Sequence, residues 1–319
     1  MTASTTRRTT AARSRIAAVG AIAVAGALIL TGCGDQTDKG SSSTPSGGTS
    51  KDSSAPLFSA LPKKIQDAGV IKVGTDSAYA PMEFVEGGKI VGVDPDIAEA
   101  LGKQLGVKFQ FTAGTFDGLI TSIYTGREDA IMSSITDNKK RQEGLDDKGQ
   151  KIGKGIDFVD YFSSGLSLLV KKGNPEGIKS MDDLCGKTVA VQRGTIYEDS
   201  FKAQADKCGD KKLTIQAFDT DAEAQTRVKA GGAVADLNDY PVAAYTVKTS
   251  GGGNDFEVAG QQSDVGLFGI GVSKDNNQLR DALKQALDAA IKDGSYGKAL
   301  EKWNVQDSAV KAATVNAGQ

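Results

Sequence analysis

Beyond residue 62, apolar runs of four to six residues alternate with segments whose apolar positions recur every three or four residues. That is the pattern of strands alternating with amphipathic helices in an α/β protein. Val70-Ile71-Lys72-Val73-Gly74 reads as a first strand and Ile90-Val91-Gly92-Val93 as a second. Asp94-Pro95 then opens a helix, the carboxylate as its cap and the proline at the first helical position, and Ile97, Leu101, Gln104 and Leu105 continue one face. Phe109 and Phe111 alternate in a strand, Leu119, Ile120 and Ile123 line a helix, and Ala130-Ile131-Met132 is a buried strand. A second series runs through Leu166-Ser167-Leu168-Leu169-Val170, Thr188-Val189-Ala190-Val191, Leu213-Thr214-Ile215 and Val234-Ala235-Asp236-Leu237. The chain returns through Gly269-Ile270-Gly271-Val272 to a long helix with Leu279, Leu283, Leu287 and Ile291 on one face. Two such βαβ sets predict two lobes, each a mostly parallel sheet flanked by helices. The first lobe takes residues 61–163 with 265–319 and the second 164–264, with the charged, glycine-rich stretch 146–155 as a solvated loop.

The first 33 residues have a different pattern. Arg7, Arg8, Arg13 and Arg15 precede an acid-free apolar run over residues 16–30, and small residues follow. This order is an export signal. A run of 15 residues is too short for a stable helix across a bilayer core of about 30 Å. Leu30-Thr31-Gly32-Cys33 resembles a bacterial lipobox, in which the cysteine is acylated and becomes the new N-terminus. The expected signal peptide is therefore 1–32, and the mature chain has 287 residues and a net charge of −6, anchored by lipid at Cys33 to the outer face of a membrane. Arg7-Arg8 leaves a twin-arginine route open. In residues 34–55, 15 of 22 are Ser, Gly, Thr or Pro, too little apolar surface to order a chain, so 33–60 reads as a lipidated cysteine and disordered tether. A coil of 22 residues spans roughly 25 Å.

Composition narrows the chemistry. With 319 residues, 39% hydrophobic, the chain buries a real core in roughly two domains. A net charge of −2 offers no basic excess for nucleic acid. Histidine is absent, which removes Ser/His/Asp and Cys/His nucleophile systems and histidine metal sites, and no metal or cofactor is expected. Cys185 and Cys208, outside the cytoplasm, are expected to close a disulfide, the alternative being two buried thiols.

In open parallel sheets a ligand sits beyond the carboxyl ends of strands. Four segments bring polar groups there: Asp76 to Phe84, which includes Tyr79 and Glu83; Phe116-Asp117, with Asp117 as an N-cap; Ser133-Ser134-Ile135-Thr136 leading to Arg141; and Gln192 to Glu198, where Thr195 and Glu198 have capping-box spacing. Asp239 ends a strand of the second series. A guanidinium fork suits a carboxylate and an aspartate suits an ammonium. Arg141 in one lobe and Asp239 in the other therefore describe a site for a zwitterion such as an α-amino acid.

These residues resemble those of the extracellular solute-binding proteins, family 3, of polar amino acid ABC importers, in the lipoprotein form. The resemblance runs from about Ile65 to Trp303. It rests on Val73-Gly74-Thr75-Asp76 with Tyr79-Ala80-Pro81-Met82-Glu83-Phe84, Val91-Gly92-Val93-Asp94-Pro95-Asp96-Ile97, Phe116-Asp117-Gly118-Leu119-Ile120 and the stretch from Ser133 to Arg141. Val191-Gln192-Arg193-Gly194-Thr195, Asp239-Tyr240-Pro241-Val242, and Asp293-Gly294-Ser295-Tyr296 with Lys302-Trp303 complete it. It implies the periplasmic-binding-protein-like type II fold, two α/β lobes joined by two crossover strands near residues 163–165 and 259–264. It implies that Arg141 holds the ligand carboxylate with Thr136, the Ser133 and Ser134 region and the Thr195 N–H. Asp239 and Ser134 receive the ammonium, Tyr79 and Phe116 flank the ligand side chain, and Asp76 with Gln192 lines its polar end. The implied partner is the membrane permease of an ABC importer, and the protein is expected to be a monomer. The family often has Asp where Val234 stands and a basic residue where Gly232 stands, and a shorter stretch after Arg141. Two rivals are an exported cyclohexadienyl dehydratase-like enzyme, with Asp76 and Glu83 as acid–base groups, and an amino-acid-sensing or adhesive ectodomain.

Overall fold

The computed structural model describes residues 51–146 and 148–319. The expected signal segment 1–32, Cys33 and residues 34–50 lie outside the described residues. The tether expected through residue 60 gives way to structure earlier. The Asp52 N–H donates to Gly106 O at 2.8 Å, and a 3-10 helix, Phe58–Ala60, places Leu57 and Phe58 against the core. Leu57, Phe58 and Ala60, at the end of a polar tract, pack against the core and dock it.

The first lobe opens with α1 (Lys63–Ala68), β1 (Val70–Thr75), β2 (Ala78–Tyr79), β3 (Glu83–Glu86), β4 (Lys89–Val91), α2 (Val93–Leu105) and β5 (Lys108–Ala113). It continues with α3 (Leu119–Tyr124), β6 (Ala130–Ile131) and α4 (Lys139–Glu143). Strand β1 lies parallel between β5 and β6, Val73 facing Phe111 and Ala130. The run Ile90 to Val93 is not a strand of this sheet, as the alternation suggested. β2, β3 and β4 form a separate antiparallel sheet, and Val93 already belongs to α2. Gly92 makes the sharp turn between them at φ 138°, where a side chain would collide with the Met82 carbonyl.

β7 (Ile156–Lys171) then carries the chain into the second lobe, which comprises β8 (Thr188–Gln192), α5 (Ile196–Lys207), β9 (Thr214–Phe218), α6 (Asp221–Lys229), β10 (Ala235–Asp239) and α7 (Tyr240–Thr249). β8 lies parallel between β9 and β10. β11 (Phe256–Ser273) returns antiparallel along β7, with register breaks between Ala259 and Gly266 opposite Leu168 to Ser164. α8 (Asn277–Asp293), α9 (Ser295–Trp303) and β12 (Ala309–Val315) follow, β12 pairing with β7. The strands thus join in the order β5-β1-β6-β11-β7-β10-β8-β9, a two-lobed type II arrangement with β7 and β11 passing through both lobes. Only residues 166–170 of β7 announced themselves in the sequence, because the buried Asp157 and Asp160 interrupt the apolar pattern of its first half.

The core follows the sheet faces. Leu279, Leu283 and Leu287 of α8 interlock with Ile97 and Leu101 of α2, while Leu119 and Ile123 of α3 cover the opposite face with Ile131 and Phe158. In the second lobe Phe201 of α5 packs with Val189 and Val191 on one face, and Ala224, Val228 and Ala243 of α6 and α7 cover the other. Each fully buried leucine contributes roughly 1.5–3 kcal/mol relative to exposure. Cys185 and Cys208 form a disulfide, with Cα atoms 5.3 Å apart, clamping the end of α5 to the turn before β8. Among the described residues no helix is long and apolar enough to cross a membrane.

Candidate functional site

The carboxyl ends of β1 and β6 in the first lobe face those of β8 and β10 in the second, and the residues just after each strand meet between them. The ten site residues expected from the sequence, Asp76, Tyr79, Phe116, Ser133, Ser134, Thr136, Arg141, Gln192, Thr195 and Asp239, all line one interlobe cavity of about 10 Å³, room for no more than a single water molecule. Glu83, Ile196 and Tyr197 join them. A wider groove between α2 and β5, on the outside of the first lobe, contains none of these residues.

Arg141 comes from α4, a helix of five residues whose N-cap, Asn138, accepts the Arg141 N–H at 2.9 Å. Its guanidinium donates to Thr136 O at 2.8 Å and, across the cleft, to Gly194 O at 3.2 Å, and lies 5.5 Å from the centre of the Phe116 ring. Gly194, at φ 75°, approaches so closely that a side chain would meet Asp117. Asp117 itself is exposed inside the 3-10 helix Phe116–Gly118 and is not the cap the sequence suggested. Burial lowers the Arg141 pKa to about 10, so it carries its charge at neutral pH.

Asp239 stands at the N-cap position of α7 without capping it. Its carboxylate instead accepts the Tyr79 hydroxyl at 2.7 Å, and its backbone N–H donates to the same oxygen at 3.1 Å. Hydroxyls of Tyr197 and Ser164 also bond to it, but burial prevails and raises its pKa to about 7. Thr195 caps α5 by accepting the Glu198 N–H at 3.2 Å, while the Glu198 carboxylate reaches past it to the Gly194 N–H at 2.8 Å.

At the other end of the cavity Gln192 Nε2 donates to Asp76 Oδ2 at 2.5 Å and to Asp219 O at 3.2 Å. Burial raises the Asp76 pKa, opposed by Gln192 and the Ala78 N–H. Ser133 accepts from the Asp76 N–H at 2.9 Å and donates to Glu83 at 2.8 Å.

Glu83 and Asp94 form a buried acid pair behind these groups. The Ser134 N–H and the Tyr161 hydroxyl donate to Asp94 at 3.0 and 2.7 Å. Asp94 is therefore not a helix cap. It lies inside α2 and holds Ser134, at φ 47°, in place. Burial raises Asp94 to about 7 and Glu83 well above its usual range, so the pair retains a proton near neutral pH. Glu83 was read from the sequence as a strand-end carboxylate and a candidate acid–base group but not as a member of the binding set. Tyr197 was signalled by its place in the first turn of a helix capped at the cleft.

The sequence model of one family, bacterial extracellular solute-binding proteins, family 3, matches residues 71–306, the stretch that contains every one of these cleft residues. The chain belongs to this family. As a family 3 solute-binding protein it is 30% identical to the L-cystine-binding protein TcyJ of Escherichia coli over 246 residues, 76% of this chain and 85% of that one. Among solved structures, an ancestral arginine-binding protein bound to arginine superposes with a TM-score of 0.65 at 35% identity, covering 74% of this chain and 98% of that one. An ancestral amino acid-binding protein that is a precursor of cyclohexadienyl dehydratase gives a TM-score of 0.63 at 34% identity, over 75% and 97%.

Departures from the family pattern are absorbed locally. The Arg227 guanidinium lies against the bare Cα of Gly232, and β10 pairs with β7 and β8 despite Val234.

Proposed function

We propose that this solute-binding protein is a monomeric extracytoplasmic receptor, tethered by lipid at Cys33, that closes on an L-amino acid with a cationic side chain and delivers it to the permease of an ABC importer. Arg141 takes the α-carboxylate and Asp239 the α-ammonium. The observation that carries the cationic preference is Asp76. It is 4% exposed, lines the same cavity, and makes no ion pair with Lys or Arg among the described residues, only bonds to Gln192 and backbone. Glu83 has Asp94 with which to share a proton; Asp76 has no such carboxyl partner. A guanidinium or ammonium at that end of the ligand compensates the buried carboxylate, and a ligand that fails to do so leaves its desolvation uncompensated.

A thermal-shift screen of the twenty amino acids tests it. A ligand at 100 times its Kd stabilises by about 2.7 kcal/mol, enough to rank candidates. Arginine, lysine or ornithine gives the largest shift, and Asp76→Asn moves the preference toward glutamine. A larger shift with glutamine than with any basic amino acid in the unaltered protein rejects the cationic reading. Product formed from prephenate or arogenate rejects the receptor in favour of the dehydratase.

A further inference from the structure

Asn316 to Gly318, just past β12 and beyond the family match, reach the underside of the helix that carries Arg141. Asn316 exchanges backbone hydrogen bonds with β7: its side-chain oxygen accepts the Phe158 N–H at 2.8 Å and its own N–H donates to Phe158 O at 3.1 Å. The Ala317 N–H and the Thr314 hydroxyl donate to Asp160 at 3.3 and 2.7 Å. The Gly318 N–H then donates to Asp137 Oδ2 at 2.7 Å, and Gly318 O accepts from Gln142 Nε2 at 3.2 Å. Gln142 Nε2 also donates to Asp137 Oδ1 at 2.7 Å, closing a ring of three residues. Asp137 is 1% exposed and Gln142 4%, and Gly318 is buried against them. The fit has no slack: a Cβ at Gly318 would collide with the Asp137 carbonyl, which is backbone and cannot swing aside.

α4 needs such a tie. A helix of five residues has little hydrogen bonding of its own to offset the cost of nucleation. Arg141 and Gln142 are adjacent on it, one facing the cleft and the other facing Gly318. We propose that Asn316–Gly318, through Asp137 and Gln142, is a positioning element for Arg141: it fixes the seat of α4 and thereby the aim of the guanidinium. Gly318 and Gln142 touch no ligand in this account, which rests on the assignment of Arg141 as the carboxylate anchor.

The test compares Gly318→Val and Gln142→Leu with the unaltered protein by amide hydrogen exchange and by titration with L-arginine, and places Gly318→Val in the Arg141→Ala background. The expected result is at least tenfold faster exchange over residues 139–143 with α8 unchanged, at least tenfold weaker arginine binding at 25 °C, and no further loss when Gly318→Val is added to Arg141→Ala. Additivity of the two losses, or unchanged exchange over α4 in both variants, overturns the proposal whether or not arginine is the ligand. If Arg141→Ala alone leaves affinity intact, the anchor assignment fails instead, and exchange over α4 still decides whether the segment seats the helix. Gln142→Glu, which keeps the length but donates to neither partner when ionised and to one when protonated, speeds exchange over residues 139–143 relative to the unaltered protein more at pH 8 than at pH 4.

Discussion

Placing a ligand ammonium on Asp239 requires that carboxyl to be ionised, and in the closed cleft its pKa is about 7 because it is 2% exposed. An adjacent positive charge returns a carboxyl toward or below its ordinary value of about 4. Binding therefore expels a proton whenever Asp239 starts protonated, and affinity rises with pH. With a free-state pKa of about 7, roughly nine in ten molecules are ionised at pH 8 and roughly one in a hundred at pH 5. The association constant thus falls on the order of 100-fold from pH 8 to pH 5, about 2.7 kcal/mol at 1.36 kcal/mol per unit. Arg141, at about 10, stays charged throughout this window, and Asp76, whose pKa burial also raises, moves the affinity in the same direction. The assay is isothermal titration with L-arginine from pH 5 to 8 in two buffers of different ionisation enthalpy, which counts the protons released. Asp239→Asn binds weakly and loses this proton from the count. Affinity that is flat between pH 5 and 8, or an undiminished slope in Asp239→Asn, refutes the assignment of Asp239 as the ammonium partner.

Arg141→Ala leaves a buried carboxylate of the ligand unpaired, and we expect binding to weaken by about 2–5 kcal/mol in titration calorimetry, with Arg141→Lys recovering only part because an ammonium cannot form the fork; equal affinity in all three proteins removes Arg141 from the site. If Cys33 is the acylated residue, Cys33→Ser moves the protein from the membrane fraction into the medium while its purified form binds normally; retention on the membrane sinks the lipid anchor.

The sequence revealed elements whose signals are local. The leucine stripe of α8 is a periodicity within one helix, and it is buried as that periodicity requires. The cavity positions of Asp76 and Asp239 were legible because the strand-end rule needs only a strand and its last or next residue, and Arg141 because the hydroxyls that follow β6 lead to it. Asp94 was misread for the complementary reason. Asp followed by Pro at a helix start is a capping signal, and what overrides it is a hydroxyl 67 residues away, on Tyr161. The first half of β7 was hidden in the same way: Asp157 and Asp160 look like surface residues until Arg280, Asn316 and Thr314 arrive from more than 120 positions later. Burial of a carboxylate is decided by partners that a local window does not contain.

The cleft groups already have partners when the lobes are together, and this determines what a ligand gains there. Asp239 has the Tyr79 hydroxyl, Arg141 has the carbonyls of Thr136 and Gly194, and Asp76 has the Gln192 amide. Each of these bonds joins an ionisable group to a neutral one. A ligand that brings an ammonium, a carboxylate and a second cation replaces them with bonds between full charges, which are shorter and stronger. Its advantage is therefore in charge matching and not in the number of hydrogen bonds, which hardly changes. The bonds from Tyr79 to Asp239, Arg141 to Gly194 and Gln192 to Asp76, with the Lys140–Asp199 ion pair at 2.8 Å across the rim, also hold the empty lobes together. A ligand shifts the balance between open and closed forms only by its excess affinity for the closed one. A small polar solute without those charges only exchanges one set of neutral partners for another, and the permease would receive no closed form that the empty protein does not already supply.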